Sequence, residues 1–381
     1  MLSIWTENWY NKRMFFKKII FAVFILIVIV PTAYAQETLN LHKAKVLQIV
    51  KEENSTILEE VGKGINILTQ TLTAEVIDGP EKGKQVTLEN DYIKLEKGDV
   101  FFIEKTSFVG EEDRYVMRER DRQFPIIILL LIFGLAIFIF GGKQGLRSLL
   151  SLVAGFFVII YFLLPLLMKG YSPILVSVAF ATIILFCAIY FTHGFNREST
   201  VAFTGTILAV ILTGLLAFVS VAIMKLTGFN SEEAAFLNMG NTIKLNFHGL
   251  LLGGILIGVL GILDDIAITQ AAVVSEIYNS ANHLTRKEVY KKAMRVGREH
   301  VSALVNTLVL AYTGASLPLL LLISNYNYPF GFVVSQEMFS TEIVRTIVGS
   351  IGLVLTVPIT TLIAVYLLKG YKGKSALGHH H

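Results

Sequence analysis

The chain has 381 residues, of which 54% are hydrophobic and 16% charged, and its mean hydropathy is +0.62. This composition excludes an ordinary soluble globular protein and predicts an integral membrane protein. The formal charge of +4 is explained by cationic loops near anionic lipid, so we expect no nucleic-acid partner. The single cysteine, Cys187, excludes an intrachain disulfide.

Residues 1–35 have the pattern of a secretory signal. Cations from Lys12 to Lys18 precede the apolar stretch Ile19 to Val30, and Ala33-Tyr34-Ala35 supplies a small-residue cleavage site. The alternative is an uncleaved signal anchor. Both alternatives export the residues that follow.

Residues 36–123 change from long apolar runs to short alternating ones, separated by turn residues such as Gly79-Pro80. The pattern predicts a small extracytoplasmic β-rich domain, barrel-like and of five or six strands. The charged run that begins at Glu111 is expected to form a stalk leading to the membrane. Such a domain is either a folded cap or a surface that binds a protein partner or a second copy.

Residues 124–369 form a predicted all-α membrane domain of seven spans of roughly 20 residues each. The spans are Phe124–Gly141, Leu149–Met168, Pro173–Phe191, Val201–Met224, Phe247–Leu263, Val301–Ile323 and Ile343–Leu368. The excess of Lys and Arg in alternate loops places residues 370–381 in the cytoplasm as a tail. The last four residues, Gly378 to His381, have the composition of a purification tag.

The stretch GILDDIAITQ places Asp264 and Asp265 inside an apolar run. A carboxylate in hydrocarbon costs about 3 kcal/mol or more, so it is seldom accidental. If the helix enters from outside near Phe247, both lie about 26 Å along it, in the inner third of the bilayer. The apolar residues that follow would then pass the inner boundary, so the helix must bend, break or be buried against protein.

One face of this helix carries only small and polar residues, at steps of three and four. Its members are Gly254, Gly258, Gly261, Asp265, Thr269, Ala272 and Glu276. The glycines predict close helix packing, whereas the aspartate predicts an ion or proton site. Asp264 lies about 100° around the helix from Asp265.

Oxygen-bearing side chains at a similar depth in other spans are candidate partners of the aspartates. They are Ser302 and Asn306 in the sixth span, Thr360 and Thr361 beside Pro358 in the last, and Thr204 and Thr206 in the fourth. On the aspartate helix itself, Thr269, Gln270 and Glu276 are further candidates for the ion or substrate site. An oxygen-rich site suits a proton, Na⁺ or a hard divalent cation, and the sequence does not identify any other cofactor. The alternative is that each hydroxyl bonds the carbonyl of its own helix four residues earlier.

Further charged residues mark the ends of the spans. Glu342 and Arg345 are expected to form a helix ion pair, and with Glu233 they are candidates for an outer gate; Glu299 and His300 are further gate candidates. Thr285 to Glu288 has the spacing of a capping box. It predicts an amphipathic helix on the inner leaflet, with an apolar stripe formed by Val289, Ala293 and Val296.

Three stretches, GILDDIAITQAAVVSEI, GREHVSALVNTLVLAYTGASLPLLLL and EIVRTIVGSIGLVLTVPITT, closely resemble the YibE/F family of bacterial membrane proteins. The resemblance implies a multi-pass protein of the bacterial cytoplasmic membrane with an exported β-rich segment and a permease-like role. The matched stretches carry Asp264, Asp265, Gln270, Glu276, Arg298, His300, Ser302, Asn306, Tyr312, Gly314 and Pro318.

Two functions remain open. The first is an ion- or proton-coupled secondary transporter of a small solute or ion, favoured by the intramembrane carboxylates and by the lack of a nucleotide-binding motif. The second is a non-transporting scaffold or accessory subunit whose exported domain binds a partner. An intramembrane aspartyl protease is disfavoured because adjacent aspartates on one helix point apart, so we expect no enzyme activity.

Overall fold

The computed structural model describes residues 41–57, 65–106, 113–240, 245–325 and 328–371. The predicted signal or anchor and nearly all of the predicted tail lie outside the described residues. The chain divides into two compact units, one ending at Ala136 and the other beginning at Ile137.

The first unit contains a five-stranded antiparallel sheet in the order β3-β2-β1-β4-β5, curved into a half-barrel. The strands are β1 (Leu41–Ile57), β2 (Ile65–Val76), β3 (Gln85–Asn90), β4 (Val100–Thr106) and β5 (Arg114–Arg120). This finding confirms the prediction of a small β-rich, barrel-like element ahead of the spans.

The alternation read from the sequence produces the core of the sheet. Side chains of β3 are exposed and buried in turn, and Leu72, Phe101 and Ile103 have no exposed surface. The buried amide of Gln70 accepts a hydrogen bond from Leu95 N (2.8 Å) and donates one to Leu95 O (3.0 Å). A buried polar group is therefore satisfied where the chain leaves β3.

Glu81, in the turn between β2 and β3, connects this turn to the last two strands. Its carboxylate accepts hydrogen bonds from Lys105 Nζ (2.7 Å) and Tyr115 OH (2.6 Å). The hydrogen bond from Lys105, followed by that from Tyr115, lowers the pKa of Glu81 from 4.5 to about 2.

We expect acid to loosen the half-barrel through Glu81. A depressed folded pKa means that ionised Glu81 stabilises the fold above pH 4.5, and that this stability is lost as the pH falls towards 2. Hydrogen-exchange protection of β4 and β5 in the full-length protein, corrected for intrinsic exchange, should fall over this window. Glu81→Gln should flatten that dependence and Glu89→Gln, an exposed carboxylate of β3, should not; equal profiles for the two variants would contradict the assignment.

The remaining described residues are mostly helical. The helices are α1 (Gln123–Val158), α2 (Leu164–Met168), α3 (Pro173–His193), α4 (Arg197–Ile223), α5 (Glu232–Gly240), α6 (Phe247–Ser280), α7 (Arg286–Ala315), α8 (Leu317–Ser324), α9 (Phe330–Ser335) and α10 (Glu337–Leu367). A π-helical turn, Ile159–Leu163, joins α1 to α2.

Five helical segments of the described chain are long and apolar enough to cross a membrane, or six if α7 and α8, bent by 63°, form one broken span. This is consistent with a multi-pass membrane protein. The first segment, Gln123–Met168, has 46 residues, about twice the length that one crossing needs.

The backbone of this long segment is broken at Gly142, whose φ of 54° and ψ of −143° are not helical. A Cβ added at Gly145 would lie 2.7 Å from the carbonyl oxygen of Ile137, eight residues earlier. In a continuous helix these positions would be about 12 Å apart, so the chain folds back at Gly142. The segment therefore consists of two helices, and the count of seven spans stays a prediction.

Helix α6 is the centre of the bundle and contacts α3, α4, α7 and α10. Beyond Asp265 it continues as a helix to Ser280, with Ala271 and Val274 fully buried. The hydroxyl of Tyr278 donates a hydrogen bond to Val365 O of α10 at 2.9 Å. Of the three expectations for this extension, burial against protein is the one that the structure adopts.

Helices α4 and α10 pack through reciprocal pairs of glycine and threonine. A Cβ at Gly205 would lie 2.4 Å from Thr360 Oγ1, and a Cβ at Gly352 would lie 2.3 Å from Thr213 Oγ1. The pairing order shows that the two helices are antiparallel. Each threonine occupies the space that a missing side chain leaves, as small residues allow in membrane helices.

The cationic first half of α7 continues directly into the apolar half. The capping box at Thr285 is present, and Val289 and Ala293 are fully buried within the helical core. The predicted apolar stripe therefore packs on the bundle at these two positions, whereas Val296 is 40% exposed.

Candidate functional site

Asp264 and Asp265 lie on different sides of α6, as their spacing predicts. Asp264 is half-buried, and its Oδ1 accepts a hydrogen bond from the backbone N–H of Asp265 at 3.0 Å. The Asp265 side chain is exposed. Two adjacent carboxylates thus have different surroundings, one partly enclosed by the bundle and the other on its surface.

Asp265 belongs to a face of α6 that is exposed at all seven predicted positions. We call this set, Gly254, Gly258, Gly261, Asp265, Thr269, Ala272 and Glu276, the open face. A Cβ at Gly254 or Gly261 would meet no atom within 4 Å, and one at Gly258 would meet only the Tyr312 hydroxyl, at 3.4 Å. No helix of the described chain packs on these glycines, so their packing role stays a prediction about another copy or partner.

A histidine that the sequence interpretation missed is close enough to Asp265 for the two charges to interact. His193, the last residue of α3, interacts electrostatically with Asp265 and with Glu198. Its Nδ1 is 3.5 Å from Nε2 of Gln144. Glu198 also accepts a hydrogen bond from Ser275 Oγ of α6 at 2.5 Å. These residues could have been found from their position, because the loop between α3 and α4 lies at the predicted inner end, where the aspartates are.

Gln270 and Thr361 form a structural connection among three helices. The buried Gln270 amide donates to Ala293 O of α7 (3.0 Å) and to Thr361 Oγ1 of α10 (2.7 Å). Thr361 in turn donates to Val357 O at 2.6 Å. These hydrogen bonds occupy the polar atoms that were candidates for the site.

The other threonines mostly bond their own helix. Thr204, Thr206 and Thr269 each donate to the carbonyl four residues earlier, which for Thr269 is that of Asp265. The buried hydroxyl of Thr360 has no hydrogen-bond partner among the described residues and lies against Gly205.

The remaining candidates lie elsewhere on the bundle. Ser302 and Asn306 are exposed on α7, and Ser302 lines a cavity whose lining includes neither aspartate. Glu276 is exposed and accepts a hydrogen bond from Ser280 at 3.3 Å. The structure thus keeps Asp264, Asp265 and Thr269 on one stretch of α6 and adds His193. Glu198 interacts with His193 and with Ser275, which lies about 15 Å beyond Asp265 along α6.

The gate candidates are only partly assembled. Arg345 donates to Glu342 at 2.8 Å, and both side chains are half-buried. This pair interacts electrostatically with Tyr312, whose hydroxyl faces Gly258 of the open face. Glu233 lies exposed in the first turn of α5, and Glu299 and His300 are exposed on α7.

No group of three or more His, Cys, Asp or Glu side chains among the described residues could hold a metal ion. The site therefore offers two carboxylates and a neighbouring imidazole. Such groups can exchange a proton, or bind a cation that keeps part of its water shell.

Two family models match the chain. One, described as YibE/F-like protein, matches residues 129–370, and the other, the YibE/F family N-terminal domain, matches residues 39–105. The chain belongs to the YibE/F family. Neither the curated proteins nor the solved structures give a match.

The two matches divide this YibE/F protein between its structural elements. The N-terminal match covers β1 to β4 and leaves β5 outside, and the larger match extends from within α1 past the end of α10. The open face, His193 and the Glu342–Arg345 pair all lie inside the larger match.

Proposed function

We propose that this YibE/F protein is a proton- or cation-coupled secondary transporter of a small solute or ion, with Asp264 and Asp265 as its ion site. The observation that carries the proposal is the exposure of Asp265 on a face of small and polar residues. A carboxylate turned towards lipid would cost about 3 kcal/mol or more, so this face borders water or a transported solute.

The arrangement in the membrane that goes with this function has seven spans. Each half of the segment broken at Gly142 crosses once, α3, α4, α6 and α10 cross once each, and α7 with α8 forms a broken span. A signal peptide or anchor exports residues 36–123, and the C-terminus is cytoplasmic, following the excess of cations in the inner loops. The location is the bacterial cytoplasmic membrane.

In this mechanism Asp265 and His193 act as a pair whose shared charge changes when an ion arrives. Binding of a cation or proton at Asp265 neutralises the carboxylate and so changes its electrostatic interaction with His193. The contact between α3 and α6 then changes, while Asp264 keeps its hydrogen bond to the backbone of α6. At the other end of the open face, Tyr312 with the Glu342–Arg345 pair limits access from outside.

Flux in proteoliposomes tests the proposal. Purified protein should dissipate an imposed proton or Na⁺ gradient, read from an entrapped dye, and Asp265→Asn should abolish this flux. Glu232→Gln, which removes an exposed carboxylate of α5, is the matched control and should retain it. Full flux in Asp265→Asn, or an equal loss of flux in Glu232→Gln, would contradict the proposal.

A specific observation favours the alternative, a scaffold that binds a partner through residues 36–123. Strands β1 and β2 pair as far as Ile57 and Ile65, whereas β4 pairs with β1 only up to Lys45, and β3 pairs with β2 only from Gln70 onward. The far end of the hairpin that β1 and β2 form is therefore a two-stranded ribbon with no third strand beside it. Such a ribbon is marginally stable alone and would gain stability from a partner. A stoichiometric partner that copurifies only while this ribbon is intact would support the scaffold.

A further inference from the structure

A cavity of about 370 Å³ lies between α7 and α10, away from the aspartates. Its walls are largely apolar and include Met294, Val301, Val354 and Pro358. Its two polar lining residues, Arg298 and Ser302, are one helical turn apart on α7. The cavity is therefore amphipathic, with a cationic end and an apolar body.

Arg298 is the last of six cations between Arg286 and Arg298 in the first half of α7. The predicted span starts at Val301, so Arg298 lies about 4.5 Å before the hydrocarbon, at the level of the inner headgroups. Among the ion pairs of the described residues, none includes Arg298. Its guanidinium is exposed and free to bind an anion at this level.

We propose that this cavity binds an anionic phospholipid of the inner leaflet. The lipid phosphate accepts hydrogen bonds from Arg298 and Ser302, a pairing that suits the planar fork of a guanidinium. One acyl chain lies over Val301, Val354 and Pro358. The surrounding cations raise the local concentration of anionic lipid, as basic pockets between spans on the cytoplasmic side do. The site rests on the proposed orientation of the helices in the membrane, but it does not depend on transport.

Lipid binding to the delipidated full-length protein tests this site. Native mass spectrometry with phosphatidylglycerol and with phosphatidylcholine of the same chains should show one preferred phosphatidylglycerol. Arg298→Gln should weaken this binding about fivefold and remove the preference. Lys292→Gln, which neutralises a cation on the same helix about 120° from Arg298, is the matched control and should leave the preference intact.

Val354→Trp tests the apolar end without changing charge, because Val354 is 43% exposed and its larger replacement fills the cavity. Binding should fall as much as in Arg298→Gln, with an unchanged elution profile and lipid-free melting temperature. If Lys292→Gln and Arg298→Gln weaken phosphatidylglycerol binding equally, the preference comes from the overall positive charge of the helix and not from this cavity, and the proposal is overturned. Full lipid binding in Val354→Trp, or displacement of the lipid by soluble glycerol 3-phosphate alone, would overturn it as well.

Discussion

Asp265→Asn is expected to remove the stabilisation that a bound cation or proton gives to the purified protein, while changing the ion-free melting temperature little. Asp265 is exposed and its side chain makes no hydrogen bond to the described residues, so the substitution removes charge without breaking a packed contact. A ligand that binds only the folded state stabilises it by about 2.7 kcal/mol at 100 times its dissociation constant. Thermal unfolding across pH and in Na⁺, Mg²⁺, Ca²⁺ and Mn²⁺ measures this gain.

Asp264→Asn should lose the same gain, although its half-buried carboxylate also contacts the α6 backbone. Glu232→Gln is the matched control, because it removes an exposed carboxylate of α5 outside the site and leaves both aspartates. If no ion stabilises the wild type and the aspartate variants only melt earlier, the carboxylates have a structural role. If the ion stabilises both aspartate variants as much as the wild type, it binds elsewhere and the aspartates are not its site.

Gly205→Leu is expected to destabilise the bundle strongly. Its Cβ would lie 2.4 Å from Thr360 Oγ1 and 3.2 Å from the Thr360 Cα, so the backbones of α4 and α10 must move apart. Overpacking of this kind costs about 1–3 kcal/mol and more where the backbone is the obstacle. Unfolding of the purified protein, followed by temperature and by denaturant, measures the loss.

Gly261→Leu is the contrasting variant. It makes the same substitution in a membrane helix, at a position where an added Cβ would have no other atom within 4 Å. It should leave the stability of the monomer unchanged. A loss comparable to that of Gly205→Leu would mean that the open face packs against another copy or partner. That result would favour the packing role of Gly254, Gly258 and Gly261 over the ion site.

Local periodicity explains what could be predicted. The alternation in β3 and the steps of three and four along α6 depend only on strand and helix geometry, and both patterns appear in the structure as buried and exposed sides. The sequence could not tell which side of α6 lacks a neighbour, because that depends on how α3, α4, α7 and α10 surround it. The small face is the exposed one, and the apolar residues on the other side are buried.

The rest of the candidate site depends on contacts between distant segments. His193 and Asp265, whose charges interact, are 72 residues apart in the chain, and Gln270 and its hydrogen-bond partner Thr361 are 91 apart. A hydroxyl in a span always has a carbonyl of its own helix within reach, so depth alone could not show which threonines would converge on the carboxylates. The break at Gly142 could likewise not be predicted, because glycine within an apolar run is also compatible with a continuous helix.

The most direct test of the central claim is whether water reaches the open face. In a Cys187→Ser background, Gly254→Cys and Gly261→Cys place thiols where the structure leaves space, and Ile211→Cys places one on the exposed apolar side of α4. A membrane-impermeant thiol reagent applied to each side of native vesicles should modify the two open-face thiols and spare the thiol on α4, and bound ion should change the rates at the open face. Equal protection of all three positions would contradict an ion pathway along α6.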